Sequence, residues 1–222
     1  MWPWESKAAV DERFYADNHT TFTVTRSDTW RGPGFNVVNS AGQAVMHART
    51  VDLGNGTIRS LDLLDAASHA QIVSVQESWL RVGSGRWHRQ WEAFRSPGAT
   101  GTADRLFVAV DKTRLFQMGN TVHVFLHGNS SGGLVPDFVV QGSYCYGTIT
   151  VSRGGSDNGG GDSVVAQIRK ESGSWMLEDH AYTVWIHRGV DQVFVLALAV
   201  ILDQILNHVR EKWSCHFECN KR

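Results

Sequence analysis

Cysteine is scarce in this chain, with three residues among 222. So few exclude a disulfide-stapled scaffold, and Cys145, Cys215 and Cys219 cannot all pair, which points to a reducing compartment. Charge of one sign is lacking as well. Lys and Arg number 21 against 22 Asp and Glu, a formal net charge of -1. No global field therefore favours nucleic acid or anionic lipid, and any such attraction must come from a local patch. No Gly-Lys-Ser/Thr and no glycine fingerprint joining a strand to a helix is present, which excludes P-loop and Rossmann readings. No basic helix, zinc-finger spacing or RNA-binding aromatic signature occurs either, so nucleic-acid readout is not expected.

Long hydrophobic runs are missing too. The longest, Val193 to Leu202, is ten residues between Asp191-Gln192 and Asp203-Gln204, and a bilayer span takes about 20. Lengthening it would draw an aspartate into hydrocarbon at roughly 2.5–3.5 kcal/mol near the centre. A buried core helix is the reading, not an integral membrane segment. Met1-Trp2-Pro3-Trp4-Glu5-Ser6-Lys7 has no basic start, apolar stretch or small-residue cleavage site, so the expected location is intracellular: cytoplasm or the inner face of the plasma membrane. The Asn-x-Ser/Thr triplets at Asn18, Asn55 and Asn129 are then chance matches.

What is present is a succession of short β-rich runs. They are Phe22 to Thr25, Phe35 to Val38, Val45 to Thr50, Ser60 to Leu64, Ile72 to Gln76 and Arg86 to Phe94. After these come Leu106 to Val110, Val122 to Leu126, Phe138 to Val140, Cys145 to Val151, Ser163 to Arg169 and Ala181 to His187. Arg31-Gly32-Pro33-Gly34, Ser40-Ala41-Gly42, Ser96-Pro97-Gly98 and Gly128 to Pro136 supply turn chemistry between them. About twelve strands with no helix between them predict antiparallel hairpins closing into a barrel. Tyr182, Val184 and Ile186 oppose Thr183, Trp185 and His187, and Val164, Ala166 and Ile168 share the apolar face of their strand. Arg153 to Gly161, rich in glycine, reads as a mobile hairpin tip.

After His187 the period changes. Val193 to Leu202 is apolar on every side, so this helix must be surrounded. Leu202, Ile205, Leu206 and Val209 then follow at i, i+3, i+4 and i+7, a half-buried continuation. Val193, Phe194, Leu196, Leu198, Ile201 and Leu202 are the expected core of the helix. The expected organisation is an N-terminal extension over 1–20, a barrel over 21–212 holding a central helix at 191–211, and a tail over 213–222.

The C-terminal third resembles the LURP-one-related family of plants. The segments that carry the resemblance are Asp162 to Ile168, Tyr182-Thr183-Val184, and Gly189 to Val195 running on through Ala199 to Ile205. Weaker ones are Leu61 to Ala67, Trp91 to Arg95 and Val140 to Ser143. The resemblance implies a tubby C-terminal-like fold shared with phospholipid scramblases, a twelve-stranded barrel around a hydrophobic helix. It implies no catalytic residue, and it links some members to pathogen defence.

Gly128-Asn129-Ser130-Ser131-Gly132 has the spacing of a nucleophile elbow, which needs a strand, a sharp turn and then a helix. Val122 to Leu126 provides the strand, but Gly133 and Pro136 follow where a helix is needed, so a loop is expected and hydrolysis at Ser130 is the minor alternative. Cys215-His216-Phe217-Glu218-Cys219 offers soft ligands without a second close pair to complete a zinc site. Neither metal nor cofactor is expected. Lys112 and Arg114, with Arg105, Arg86 and Arg89, form the strongest local basic group. If strand pairing gathers them, phosphoinositide headgroups would gain about 1 kcal/mol per cation, with Trp87 and Trp91 as interfacial anchors. A filled lumen disfavours a lipocalin-like carrier. The expected function is thus a non-enzymatic interaction or membrane-tethered regulatory module, with phosphoinositide lipid or a protein as partner.

Overall fold

The computed structural model describes residues 9–29, 32–52, 59–82, 86–95, 104–113, 120–143, 147–155, 164–171 and 181–219. Twelve strands form one closed barrel, each paired antiparallel with the next in sequence, and β12 returns to β1. They are β1 (Thr20–Thr29), β2 (Gly32–Asn39), β3 (Ala44–Asp52), β4 (Arg59–Asp65), β5 (Gln71–Val82) and β6 (Arg86–Arg95). The remaining six are β7 (Arg105–Asp111), β8 (Asn120–Leu126), β9 (Phe138–Ser143), β10 (Thr148–Arg153), β11 (Val164–Lys170) and β12 (Ala181–Ile186). The mainly β barrel with one C-terminal helix expected from the sequence is the one observed. The tip at 156–161 of the glycine-rich loop and the start of the tenth predicted strand, Cys145, lie outside the described residues.

Alternation explains the wall. Tyr182, Val184 and Ile186 are buried while Ala181, Thr183 and Trp185 are half-buried, the pattern of a sheet with one face on a core. On β11 the rule slips. Val165 is buried and Val164 only half-buried, because a bulge shifts the β10–β11 register after the Val151–Ala166 pair. Three more register shifts fall at Val37/Val38, Leu63/Leu64 and Ala93/Phe94. Each bends its strand, which is how a sheet closes on itself.

The first half of the helix α1 (Gln192–Cys219) lies in the lumen. Every residue from Val193 to Asp203 is 2% exposed or less, so Phe194, Leu196, Leu198, Ile201 and Leu202 serve as the barrel's core. Phe194 meets Phe107 edge-on at 5.2 Å and Phe138 at 4.9 Å. The helix ends eight residues past the expected limit at 211, so most of the expected tail is helical. No glycine or proline follows Gly189, and Val209, Trp213 and Phe217 continue the helical spacing.

Gly189, at φ 73°, makes the turn between β12 and α1, and Asp191 caps the helix by accepting from the Phe194 amide at 3.1 Å. The N-terminal stretch is more than an extension. Ala9, Val10 and Ala16 are buried in the same core, and a short 3-10 turn (Glu12–Phe14) lies beside them. The barrel thus has an N-terminal rim, where α1 begins, and an exit rim, where it leaves near Gln204.

Candidate functional site

Among the described residues the lumen is filled by side chains, every residue from Val193 to Asp203 being almost fully buried. A small pocket of about 20 Å³ lies where the helix leaves, between Ile201, Gln204, Thr50 and Trp91, the room one water needs.

At the exit rim the wall is uneven. Among the described residues, β5 pairs with β4 only as far as Gln76, and β6 with β7 only as far as Gln90. The two strands stay paired with each other out to Val82 and Arg86. Residues 77–82 and 86–89 thus form a two-stranded lip, about 20 Å long by its six β5 residues. Trp79 is 51% exposed and Leu80 39%, a large cost in apolar surface left in water for a position with no internal use.

Arg89 is built into this lip. Its Nε donates to Glu77 Oε1 at 2.8 Å, and it is only 11% exposed. Its guanidinium lies 5.2 Å from the Trp79 ring and 5.8 Å from the Trp91 ring. Trp91 is 3% exposed, so this tryptophan, expected as a membrane anchor, is a core residue. Arg89 thus lies within cation–π distance of both rings, one buried and one exposed, and is held there by a carboxylate. The exposed anchor, Trp79, was not singled out by sequence. The available signal was Ser78-Trp79-Leu80, with large apolar groups on both faces of a strand end beside Gly83-Ser84-Gly85.

The other basic candidates divide. Lys112 follows β7 at the exit rim, where the His88 Nδ1 approaches the Asp111 carbonyl at 3.2 Å, so it sits at the root of the lip. Burial, and behind it the charge of Lys112, holds the neighbouring His123 imidazole below its ordinary value. Arg86 occupies the lip opposite Val82, though its side chain is outside the described ones. Arg114 also lies outside the described residues. Arg105 is not part of this group. It opens β7 opposite Phe94 at the N-terminal rim, bonded to Glu92 at 3.4 Å, and its six-residue separation from Asp111 is about 20 Å of extended chain.

The segment around Ser130 is turns from 127 to 133, with no helix after it. Asn129 organises it, donating to Asp137 Oδ2 at 2.6 Å and the Val135 carbonyl at 2.9 Å, while accepting from the Ser131 amide at 2.9 Å. Ser130 is exposed on this loop. The strand–turn–helix geometry that raises a serine beside oxyanion donors is not formed. Cys215 and Cys219 fall on the last turn of α1, with side chains outside the described ones. Two surface grooves lie among the described residues. One, of about 470 Å³, runs over β1, β12 and β11 beside Trp185, Arg169 and the His19–His187 pair, whose rings are 5.0 Å apart. The other, of about 370 Å³, lies at the N-terminal rim between Phe14, Ile72 and Arg95.

At that rim Asp191 does more than cap the helix. Its Oδ2 accepts from the amides of Val10 at 2.7 Å and Asp11 at 3.1 Å, and Arg95 holds the Val10 carbonyl at 2.6 Å. Burial raises the Asp191 carboxyl above the usual carboxylate range, against the pull of these backbone donors.

These features define a class: a closed antiparallel barrel whose lumen is occupied by a C-terminal helix. Comparison gives the class its family. The model of the LURP-one-related family matches residues 20–203, and the chain belongs to that family. Protein LURP-one-related 15 of Arabidopsis thaliana is 30% identical over 145 residues, 64% of this chain and 60% of that protein. The match thus spans less than two thirds of that relative's length. An X-ray structure of an Arabidopsis thaliana protein superposes with a TM-score of 0.62 at 23% identity, covering 89% of this chain and 98% of that one. At that identity the likeness speaks for the fold alone. Among the described residues no helix is long and apolar enough to cross a membrane.

Proposed function

We propose that this protein is a non-enzymatic binding module that tethers itself to the anionic inner surface of the plasma membrane. Its exit rim, centred on Lys112, would meet phosphoinositide-type headgroups. The observation that carries this reading is the filled lumen. With every residue from Val193 to Asp203 buried, ligands are met outside in this reading, and the exit rim combines cationic positions with exposed apolar residues. A tubby-like kinship, a relation to scramblases and a defence role agree with this reading and belong to it as proposals. Hydrolysis at Ser130 gains no support from a loop without its helix. A fluorophosphonate probe that labelled the wild type but not Ser130→Ala would reverse that judgement.

The test is co-sedimentation with phosphatidylcholine vesicles, plain or containing a phosphoinositide, using the wild type and Lys112→Glu with Arg114→Glu. At about 1 kcal/mol per cation, losing two cations weakens binding to the anionic vesicles by more than roughly tenfold. Unchanged binding in the double variant removes this patch. Failure of the wild type to bind any vesicle overturns the membrane reading.

A further inference from the structure

We infer that the β5–β6 lip is an interfacial anchor, in which Trp79 and Leu80 enter the headgroup region of an anionic bilayer and Arg89 holds Trp79 ready for it. The inference rests on the membrane reading and adds the apolar half of the contact. Three observations carry it. Among the described residues the β5–β6 pairing runs six residues past the last β4–β5 pair, which sets Trp79 and Leu80 at the exit rim rather than in a packed, enclosed patch of the kind a protein-binding hot spot occupies. Trp79 and Leu80 are exposed at 51% and 39%, and tryptophan is the side chain that favours the membrane–water boundary. Residues 77–91 contain Arg81, Arg86 and Arg89 against a single acid, Glu77, which pairs with Arg89. In a chain of net charge -1 this is a local excess of positive charge beside the apolar pair. An anionic lipid surface complements both.

Arg89 acts here as a positioning residue. Anchored by Glu77 and close to the buried Trp91, it holds a cation 5.2 Å from the Trp79 ring. The indole is then oriented before it meets lipid, so less ordering entropy is lost on contact. Sequence position alone marks Trp87 as equally suited, and the register places it opposite Arg81 on the same lip.

The experiment uses the full chain with vesicles of phosphatidylcholine and phosphatidylserine, and the variants Trp79→Ala, Leu80→Ala and Trp79→Phe. Brominated phosphatidylcholine reports the depth of tryptophan by quenching its fluorescence. Since Trp79 and Leu80 are exposed, both alanine variants should keep the wild-type melting temperature within a few degrees. Each is expected to weaken vesicle binding about tenfold, the effect of withdrawing roughly half a large side chain from water. Bromolipid should quench the wild type, and the quenching should fall in Trp79→Phe, with Trp87 on the same lip keeping the remainder. Arg89→Lys should bind more weakly with shallower quenching, which a merely structural role would not produce. Binding to anionic vesicles that is equal in Trp79→Ala and wild type overturns the anchor and leaves the headgroup reading standing. Absence of vesicle binding by the wild type overturns both. Concentration-dependent self-association abolished by Trp79→Ala, with no change in vesicle binding, assigns the lip to a second copy of the chain and also overturns it.

Discussion

The Tyr182 hydroxyl donates a 2.5 Å hydrogen bond to Asp203 Oδ1 inside the barrel, joining the last strand of the wall to the helix that fills it. Asp203 is 1% exposed and Tyr182 3%. This is how a polar residue ends the apolar run of the helix without leaving the core, since buried polar groups persist when hydrogen-bonded. Tyr182→Phe removes one donor and little volume. The expected loss is about 1–3 kcal/mol, measured by chemical denaturation; stability equal to wild type would show that the contact does not hold the helix.

Leu198 tests the filled lumen by volume and by charge. It is 1% exposed, at the middle of the buried stretch. Leu198→Ala should cost about 2–5 kcal/mol, the range for a leucine truncated in a close-packed core. Leu198→Asp adds the burial of a charge and should leave no soluble folded protein, because the whole stability of a domain is about 5–15 kcal/mol. A soluble, folded aspartate variant would mean that this face of the helix is wet.

Asp191 gives the fold a pH dependence of unusual sign. Its folded pKa is raised from 3.8 by burial, so in the shifted range the folded state holds more protons than the unfolded one. Stability from this group is then complete below its unfolded value and declines as pH climbs through the raised one. The expected result is that the margin of wild type over Asp191→Asn in melting temperature shrinks as pH rises from 4 to 7. A margin that widens with pH would mean that the backbone donors from Val10, Asp11 and Phe194 outweigh burial.

The cation–π contact at the lip predicts a coupling. Trp79 and Arg89 lie opposite one another in the β5–β6 register with the guanidinium 5.2 Å from the ring. A double-mutant cycle of Trp79→Ala and Arg89→Ala should return about 0.5–1 kcal/mol of interaction, the usual size at a partly exposed site. Additive effects would make the contact incidental.

Strand existence was legible because inward and outward residues alternate, and the lumen helix because ten apolar residues on every face leave no side for water. The bulges were not legible. Whether Val164 or Val165 faces the core depends on one unpaired residue, and two adjacent valines look alike. Nor was the fate of the tryptophans. Trp91 and Trp79 both sit in β-rich runs, and only the tertiary pairing decides that one is in the core and the other half exposed. Arg105 was grouped with Lys112 because they are close in sequence, yet an extended strand carries them to opposite rims. The clasp of Val10 and Asp11 on Asp191 joins residues 180 or more positions apart, a separation no local pattern encodes.

Amide hydrogen exchange along α1 probes the occupied lumen most directly. If the helix and the wall are one cooperative unit, the amides of Val195 to Leu202 exchange only through global unfolding, with protection free energies equal to that from chemical denaturation. Exchange of these amides several kcal/mol more easily than the wall's would show that the helix leaves the barrel on its own. The lumen would then be open to a ligand.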